Sequence, residues 1–328
     1  MKAIVQTEYG SPDVLRLKDV PKPTPKDDEV LVKIHAASLN AADFEILRGM
    51  WAARFGGPFR PGNKIPGSDL SGRVEAVGRN VKQFQPGDEI WGDLSFPYSY
   101  GTFAEYVSVS ESALVLKPPS MTFEEASTYP QAAIISLQTL RDKGQIQPGQ
   151  KVLINGAGGG MGTFAVQIAK LYGAEVTGVD SAMKFDMLRS IGADHVIDYA
   201  QEDFTKSGQS YDLIVDVVAK RSVFDYRRAL SPEGHFMIVG GSLGTFLQVV
   251  VFGTLISKIG SKKLGLNKYE ANNREDLAEL AELFEAGKVV PVIDRSYPLG
   301  EVPEAVRYLE EGLALGKIVI SMDGNSTT

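Results

Sequence analysis

Apolar positions change their spacing once along this chain, near residue 123. Before it the runs are short and close to period two. EVLVKIHAASL reads as a strand, and TFAEYVSVS alternates apolar and polar residues. GSDLSGRVEAVGRNVKQFQPGDEIWG gives short strands broken by glycine and by the turn Pro86-Gly87-Asp88. Evenly punctuated strands of this kind predict a partly closed β-barrel. After Phe123 the runs lengthen. FEEASTYPQAAIISLQTLRDKG predicts helix interrupted at Pro130. Strands at 151–155, 175–179, 195–198, 211–217 and 235–240 then alternate with helices at 160–173, 182–191 and 222–230, and 262–267 completes the set. That alternation predicts a doubly wound parallel sheet. Residues 274–287 form an amphipathic pattern with Leu277, Leu280, Ala281 and Phe284 on one face. A helix at 302–312 and a strand at 317–321 return to the first part. The expected fold is α/β, with a Rossmann domain over 123–267 and a β-barrel domain made from 1–122 and 268–328.

The densest local signal is KVLINGAGGGMGTFAVQIAK. A short apolar strand is followed by five glycines between Gly156 and Gly162, then by Met161, Phe164, Ala165, Ile168 and Leu171 at helical spacing. Strand, glycine turn and helix are the setting that a dinucleotide fingerprint requires. Ala157, Gly158, Gly159, Gly160, Met161 and Gly162 are therefore expected at a pyrophosphate, where the helix dipole favours an anion. The next strand ends in Asp180, at the distance where a ribose-binding carboxylate belongs. Ser181 and Lys184 suit a 2′-phosphate instead, so cofactor choice is a contest between them and Asp180. The carboxylate tips the expectation slightly towards NADH over NADPH. Tyr199 is expected near the adenine, and Gly240 and Gly241 near the nicotinamide.

Composition narrows the partners. With 328 residues, 43% hydrophobic and 23% charged, the chain is an ordinary globular protein long enough for two domains. A net charge of −7 without a basic block argues against nucleic acid. There is no cysteine, and His35, His195 and His235 are dispersed, so no metal site is expected. MKAIVQTEYG reads as a charged start and a strand, which favours a cytoplasmic protein. Residues 243–259 are apolar but too short to span a bilayer. They predict a buried segment or the contact of a homodimer, with peripheral membrane contact the lesser option. The polar tail after 322 is expected to fray, and its sequon at Asn325 reads as chance.

Three features in order resemble the zinc-independent quinone oxidoreductase branch of the medium-chain dehydrogenase/reductase superfamily. They are GSDLSGRVEAVG with PGDEIWG and GTFAEY; Gly159-Gly160-x-Gly162 with Gln167 and Lys170; and IGADHVIDY from residue 191. The resemblance implies a GroES-like catalytic domain beside the Rossmann domain. It also implies hydride transfer from NAD(P)H to a quinone or enone, and it leans towards NADPH. Zinc-dependent relatives carry Cys and His ligands where this chain has Asn40 and Ser68, followed by Asp69, and the lobe for a structural zinc is missing between Trp91 and Gly101. Gly158 replaces a usual Ser or Ala, and Ile135 replaces a small hydroxyl residue.

Losing zinc changes the chemistry that fits. Oxidising a simple alcohol needs an alkoxide, which a metal or a tuned base must stabilise. Hydride attack on a quinone or enone spreads charge onto a conjugated oxygen, which a few donors can hold. Asn40 and Asp43 are candidate orienting groups, or a capping pair at the start of a helix. Trp51 and Tyr98, with Tyr100, are candidate walls for a flat ring. The alternatives are a 2-enoyl thioester reductase, a zinc-free alcohol dehydrogenase, or a cofactor-binding protein with little turnover.

Overall fold

The structure is a computed structural model that describes residues 1–51, 53–95 and 101–322. It divides into two compact units. In the first, β1 (Lys2–Val5) pairs antiparallel with β2 (Arg16–Asp19). The long strand β3 (Glu29–Leu39) is flanked by β4 (Asp69–Val77) and β6 (Tyr106–Ser110). Strand β5 (Glu89–Asp93) joins β4 to β7 (Val115–Leu116). Register shifts at Leu31/Val32 and Ile34/Ala36 bend β3, as bulges do where a sheet curls. Gly72 permits this crossing, because a Cβ there would lie 2.3 Å from the Lys33 carbonyl oxygen. Val30, Val32, Ile34, Leu70, Val74 and Ile90 fill the space inside.

The second unit holds a six-stranded sheet, parallel at every pairing. Its strands are β8 (Lys151–Asn155), β9 (Glu175–Asp180), β10 (His195–Asp198), β11 (Tyr211–Asp216), β12 (Leu230–Ile238) and β13 (Lys263–Leu266). The spatial order is β10-β9-β8-β11-β12-β13, so the winding reverses between β8 and β11. Ligands of open α/β sheets bind beyond the strand ends at that switch point. Four strands there end in polar groups: Asn155, Asp180, Asp198 and Asp216. The chain then returns to the first unit as β14 (Ile293–Pro298) and β15 (Lys317–Ser321), and β15 lies antiparallel to β3.

The structure departs from the sequence reading in several places. Strand β14 has no counterpart in the expectation, because DRSYP lacks an apolar alternation. Strand β12 begins at Leu230, earlier than residue 235, with a register shift opposite Tyr211/Leu213. The first unit is Met1–Ala132, Ala271–Ala281 and Pro291–Thr328; the second is Ala133–Glu270 and Glu282–Val290. The expected border at 122 moves because the helix Phe123–Ser127 is tied to the barrel. His35 stacks on Phe123 at 4.3 Å, and the Ser71 hydroxyl donates to the Phe123 carbonyl. Residues up to Val290 join the other unit because the Gln167 amide grips both backbone groups of Val290 at 2.9 Å. Residues 243–259 are not a buried segment. They form three short helical pieces with Leu247, Val250, Val251, Leu255 and Ile259 exposed. Tyr98, Tyr100 and the tail with Asn325 lie outside the described residues.

Candidate active site

The second unit presents a bare helix N-terminus. The helix Gly160–Leu171 starts just beyond β8 with Gly159 as its N-cap. A Ser, Thr, Asp or Asn at that position stabilises a helix by about 1 kcal/mol, and none is used. The fold does not demand glycine at 159. Its φ is −88°, and an added Cβ would meet only the Gly156 carbonyl oxygen at 3.5 Å. What a side chain would fill is the space before the first helical N–H groups, at Gly160 and Met161, which have no intrahelical acceptor. Gly162 serves packing instead, since its Cβ would lie 2.2 Å from the Gly156 oxygen. Ala157 is buried, and the Met161 carbonyl accepts from the Ser136 hydroxyl at 2.9 Å.

Asp180 closes this loop from the end of β9. Its Oδ2 accepts from the Gly158 N–H at 2.8 Å and its Oδ1 from the Ser181 N–H at 2.8 Å. Lys184 does not extend outward. It is buried, with Nζ 3.4 Å from Asp180 Oδ1. Its stem lies across the glycine loop, where a Cβ on Gly158 would meet Lys184 Cδ at 2.5 Å. That contact accounts for glycine at this position. The Ser181 hydroxyl, next in the chain to Asp180, is buried with no partner, an orphan polar group beside the glycine loop. Tyr199 stands just past β10 and is 58% exposed. Gly240 and Gly241 pack on the 217–219 turn, where their Cβ atoms would lie 2.5 Å from the Val217 oxygen and 2.2 Å from the Ala219 oxygen. These residues fit a dinucleotide: bare helix donors for phosphate, a carboxylate and hydroxyl beside them, and glycines where backbone approaches closely.

The first unit holds a second polar group, buried and dense. Register sets it up: Ser38 pairs with Asp69, Asp69 pairs with Asp93, and Leu39 pairs with Ile318. Asn40 and Lys317, one step beyond that last pair, therefore meet. Lys317 is 1% exposed; its ammonium donates to Asn40 Oδ1 at 2.8 Å and the Leu39 carbonyl at 3.1 Å, and lies 3.6 Å from Asp69 Oδ2. The Asn40 amide donates to Asp69 Oδ2 at 2.9 Å and to Ser68 Oγ at 3.2 Å. The Ser38 hydroxyl donates to the same Asp69 oxygen at 3.2 Å, while Asp69 Oδ1 is buried without a partner. Asp43 Oδ2 accepts from the Asn40 backbone N–H at 2.8 Å. Burial pushes the Asp43 carboxyl up to about 7, against the pull of the Asn40 N–H and the Lys317 charge. Burial also raises Asp69 to about 7, with Lys317 opposing.

This changes the reading of Asn40. Both ends of its amide are engaged inside the unit, the NH2 with Ser68 and Asp69 and the carbonyl with Lys317. Asp43 reaches back to the Asn40 N–H as a helix-capping carboxylate does. Trp51 is 41% exposed. Sequence reasoning missed Lys317. A lysine opening an apolar strand looks like its solvent end, and only the pairing with β3 reveals it as buried.

A zinc ion does not fit this group. Asn40 and Ser68 offer neutral oxygens where thiolate and imidazole would bind, and the Lys317 ammonium already occupies the neighbourhood of Asn40 Oδ1 and Asp69 Oδ2. Among the described residues no group of three His, Cys, Asp or Glu is placed to hold a metal.

Comparison with known proteins agrees with this division of labour. The alcohol dehydrogenase GroES-like domain matches residues 26–119, and the zinc-binding dehydrogenase domain matches residues 191–320. The chain is 36% identical to a 2-methylene-furan-3-one reductase of Solanum lycopersicum, over 98% of this chain and 79% of that one. The chain belongs to the medium-chain dehydrogenase/reductase superfamily, on its zinc-independent quinone oxidoreductase branch. Within that branch it is 32% identical to the chloroplastic quinone-oxidoreductase QR1 of Triphysaria versicolor, covering 98% of both. The quinone oxidoreductase of Coxiella burnetii superposes with a TM-score of 0.88 at 30% identity, covering 98% of this chain and 99% of that one.

Proposed function

We propose that this member of the superfamily is an NAD(P)H-dependent oxidoreductase that transfers hydride to a quinone or an α,β-unsaturated carbonyl. The observation that carries the reading is the helix N-terminus at Gly159: the fold leaves room there for a side chain, and the chain keeps the space empty. Bound NAD(P)H supplies the hydride; the chain binds and orients it and shapes the site electrostatically. The names of the relatives, which include an enone reductase and a quinone oxidoreductase, point to the same acceptor class. A conjugated acceptor also suits a site that holds the buried Lys317 ammonium, since its reduced oxygen spreads the charge that a simple alkoxide would concentrate.

NADH is favoured over NADPH, because the Asp180 carboxylate stands at the ribose end and Lys184 is already paired with it. No zinc takes part. The enzyme is a homodimer, with the exposed apolar face of residues 243–259 in the contact, and it works in the cytoplasm. No helix of the described residues is long and apolar enough to cross a membrane.

The test is a screen of NADH and NADPH oxidation against a quinone, an enone, an enoyl thioester and a simple aldehyde, with and without a chelator. Turnover of the quinone or enone that survives chelation is expected. Gly159→Val is the control: folded, because its Cβ has room, but without nucleotide binding in a fluorescence titration. Turnover confined to the aldehyde and lost to the chelator would overturn the reading.

A further inference from the structure

A fully buried ammonium is costly to keep, and β15 gives no packing reason for it. The strand is otherwise Ile318, Val319, Ile320 and Ser321, all buried, and an apolar residue at its head would serve the barrel core as well. Yet the Lys317 ammonium donates to the Leu39 carbonyl and Asn40 Oδ1 and pairs with the Asp69 carboxylate at 3.6 Å, groups from two different strands and the segment that follows β3. Its grip on the Asn40 carbonyl decides which way that amide faces. With Oδ1 held by the ammonium, the NH2 end must turn to Ser68 and Asp69, as it does. The family resemblance implies zinc ligands at positions 40 and 68 in zinc-dependent members, and here a cation is supplied by the chain.

We propose that Lys317 is the resident cation of this site: its ammonium stands in charge terms where a metal would, and it acts as a positioning residue that fixes the Asn40 amide against Ser68 and Asp69. The claim rests on the functional reading above only for its kinetic arm. Burial pulls the Lys317 ammonium below its usual value, and Asp69, Asp43 and Asp93, on β4, the helix Ala41–Leu47 and β5, oppose that pull.

The experiment uses the intact protein and has two arms. In the first, zinc alone is the probe, and turnover is not needed. Asn40→Cys with Ser68→His restores ligand types but leaves the ammonium; adding Lys317→Met removes it. The triple variant should bind one Zn²⁺ at least tenfold more tightly than the double variant by calorimetry. Equal affinities overturn the proposal. In the second arm, Lys317→Met should lower kcat for the acceptor at least tenfold, with the nucleotide Kd within twofold of wild type and part of the rate recovered by Lys317→Arg. A Lys317→Met protein that loses thermal stability but keeps kcat assigns the lysine to structure alone and overturns the claim. Should Lys317→Met fail to fold, Asn40→Ala carries the arm. It leaves the ammonium its Leu39 and Asp69 partners, and a tenfold fall in kcat with unchanged nucleotide binding supports the proposal, whereas unchanged kcat overturns it. A wild type that oxidises neither nucleotide fails the functional reading, and the zinc arm still judges the cation.

Discussion

The proposed cofactor choice turns on two residues, Asp180 and Lys184, and the structure shows them already engaged with one another. Asp180 spends its carboxylate on two backbone N–H groups and the Lys184 ammonium. A 2′-phosphate arriving beside it would face a carboxylate whose counter-charge is shared, and recruiting Lys184 would mean breaking a buried ion pair. A like-charge contact of this kind disfavours the phosphate by on the order of 1–3 kcal/mol, about tenfold or more in affinity. Wild type should therefore show a higher kcat/KM with NADH than with NADPH. Asp180→Ser should release Lys184 and move the preference towards NADPH, while keeping a hydroxyl acceptor for the Gly158 N–H. Steady-state kinetics with both nucleotides checks this. A wild type that prefers NADPH and loses the preference in Lys184→Ala would show that Lys184, not Asp180, rules the ribose end.

Elements were legible in the sequence in proportion to how much of their pattern is local. The strand, glycine turn and helix of 151–171 stand where the sequence places them, because buried strand, bare turn and helix face each leave a periodic trace. β14 left none, since its pairing with β15 is made by backbone groups of a polar run. Lys317 was equally hidden: its burial is a property of register with β3, not of its neighbours in the chain. Residues 243–259 show the converse limit. Their apolarity was plain, but periodicity does not say whether an apolar face turns inward or outward. Here Leu247, Val251, Leu255 and Ile259 are exposed, and Phe252 lies 5.9 Å from the likewise exposed Phe224. A contiguous face of this kind is unusual on a monomer, and twofold dimers are the commonest closed assembly. Wild type should sediment as a dimer, and Val251→Asp with Leu255→Glu should shift it to monomer without lowering the thermal midpoint of the monomer fold. A monomeric wild type that instead floats with lipid vesicles would give the face to a membrane surface.

At the scale of the whole molecule, the buried carboxylates set a pH dependence of stability whose sign runs against common habit. Most acidic groups in folded proteins are held below their ordinary value and stabilise the fold as pH rises. Asp203 is of that kind, lowered to about 2 mainly by hydrogen bonds from Thr205 and Lys206 and the Arg221 charge, which outweigh its desolvation. Asp43 and Asp69 are the opposite, raised by burial from 3.8 to about 7. Between about pH 4 and 7 the folded state keeps protons that the unfolded chain has already released. Stability therefore falls as pH rises through that window and levels off above it. For one isolated group the effect is on the order of 1–4 kcal/mol across the window, and the Lys317 charge shared between the two carboxylates reduces it. Asp43→Asn separates this contribution from the rest of the chain. The amide keeps an oxygen for the Asn40 N–H and has no proton to lose, so the variant should lose less thermal stability than wild type between pH 4.5 and 7.5, the two converging at the acid end. Calorimetric melting curves at half-unit steps measure it. Parallel curves for the two proteins across the window would mean that Asp43 is ionised throughout and that the burial of this site is balanced by the Lys317 ammonium alone.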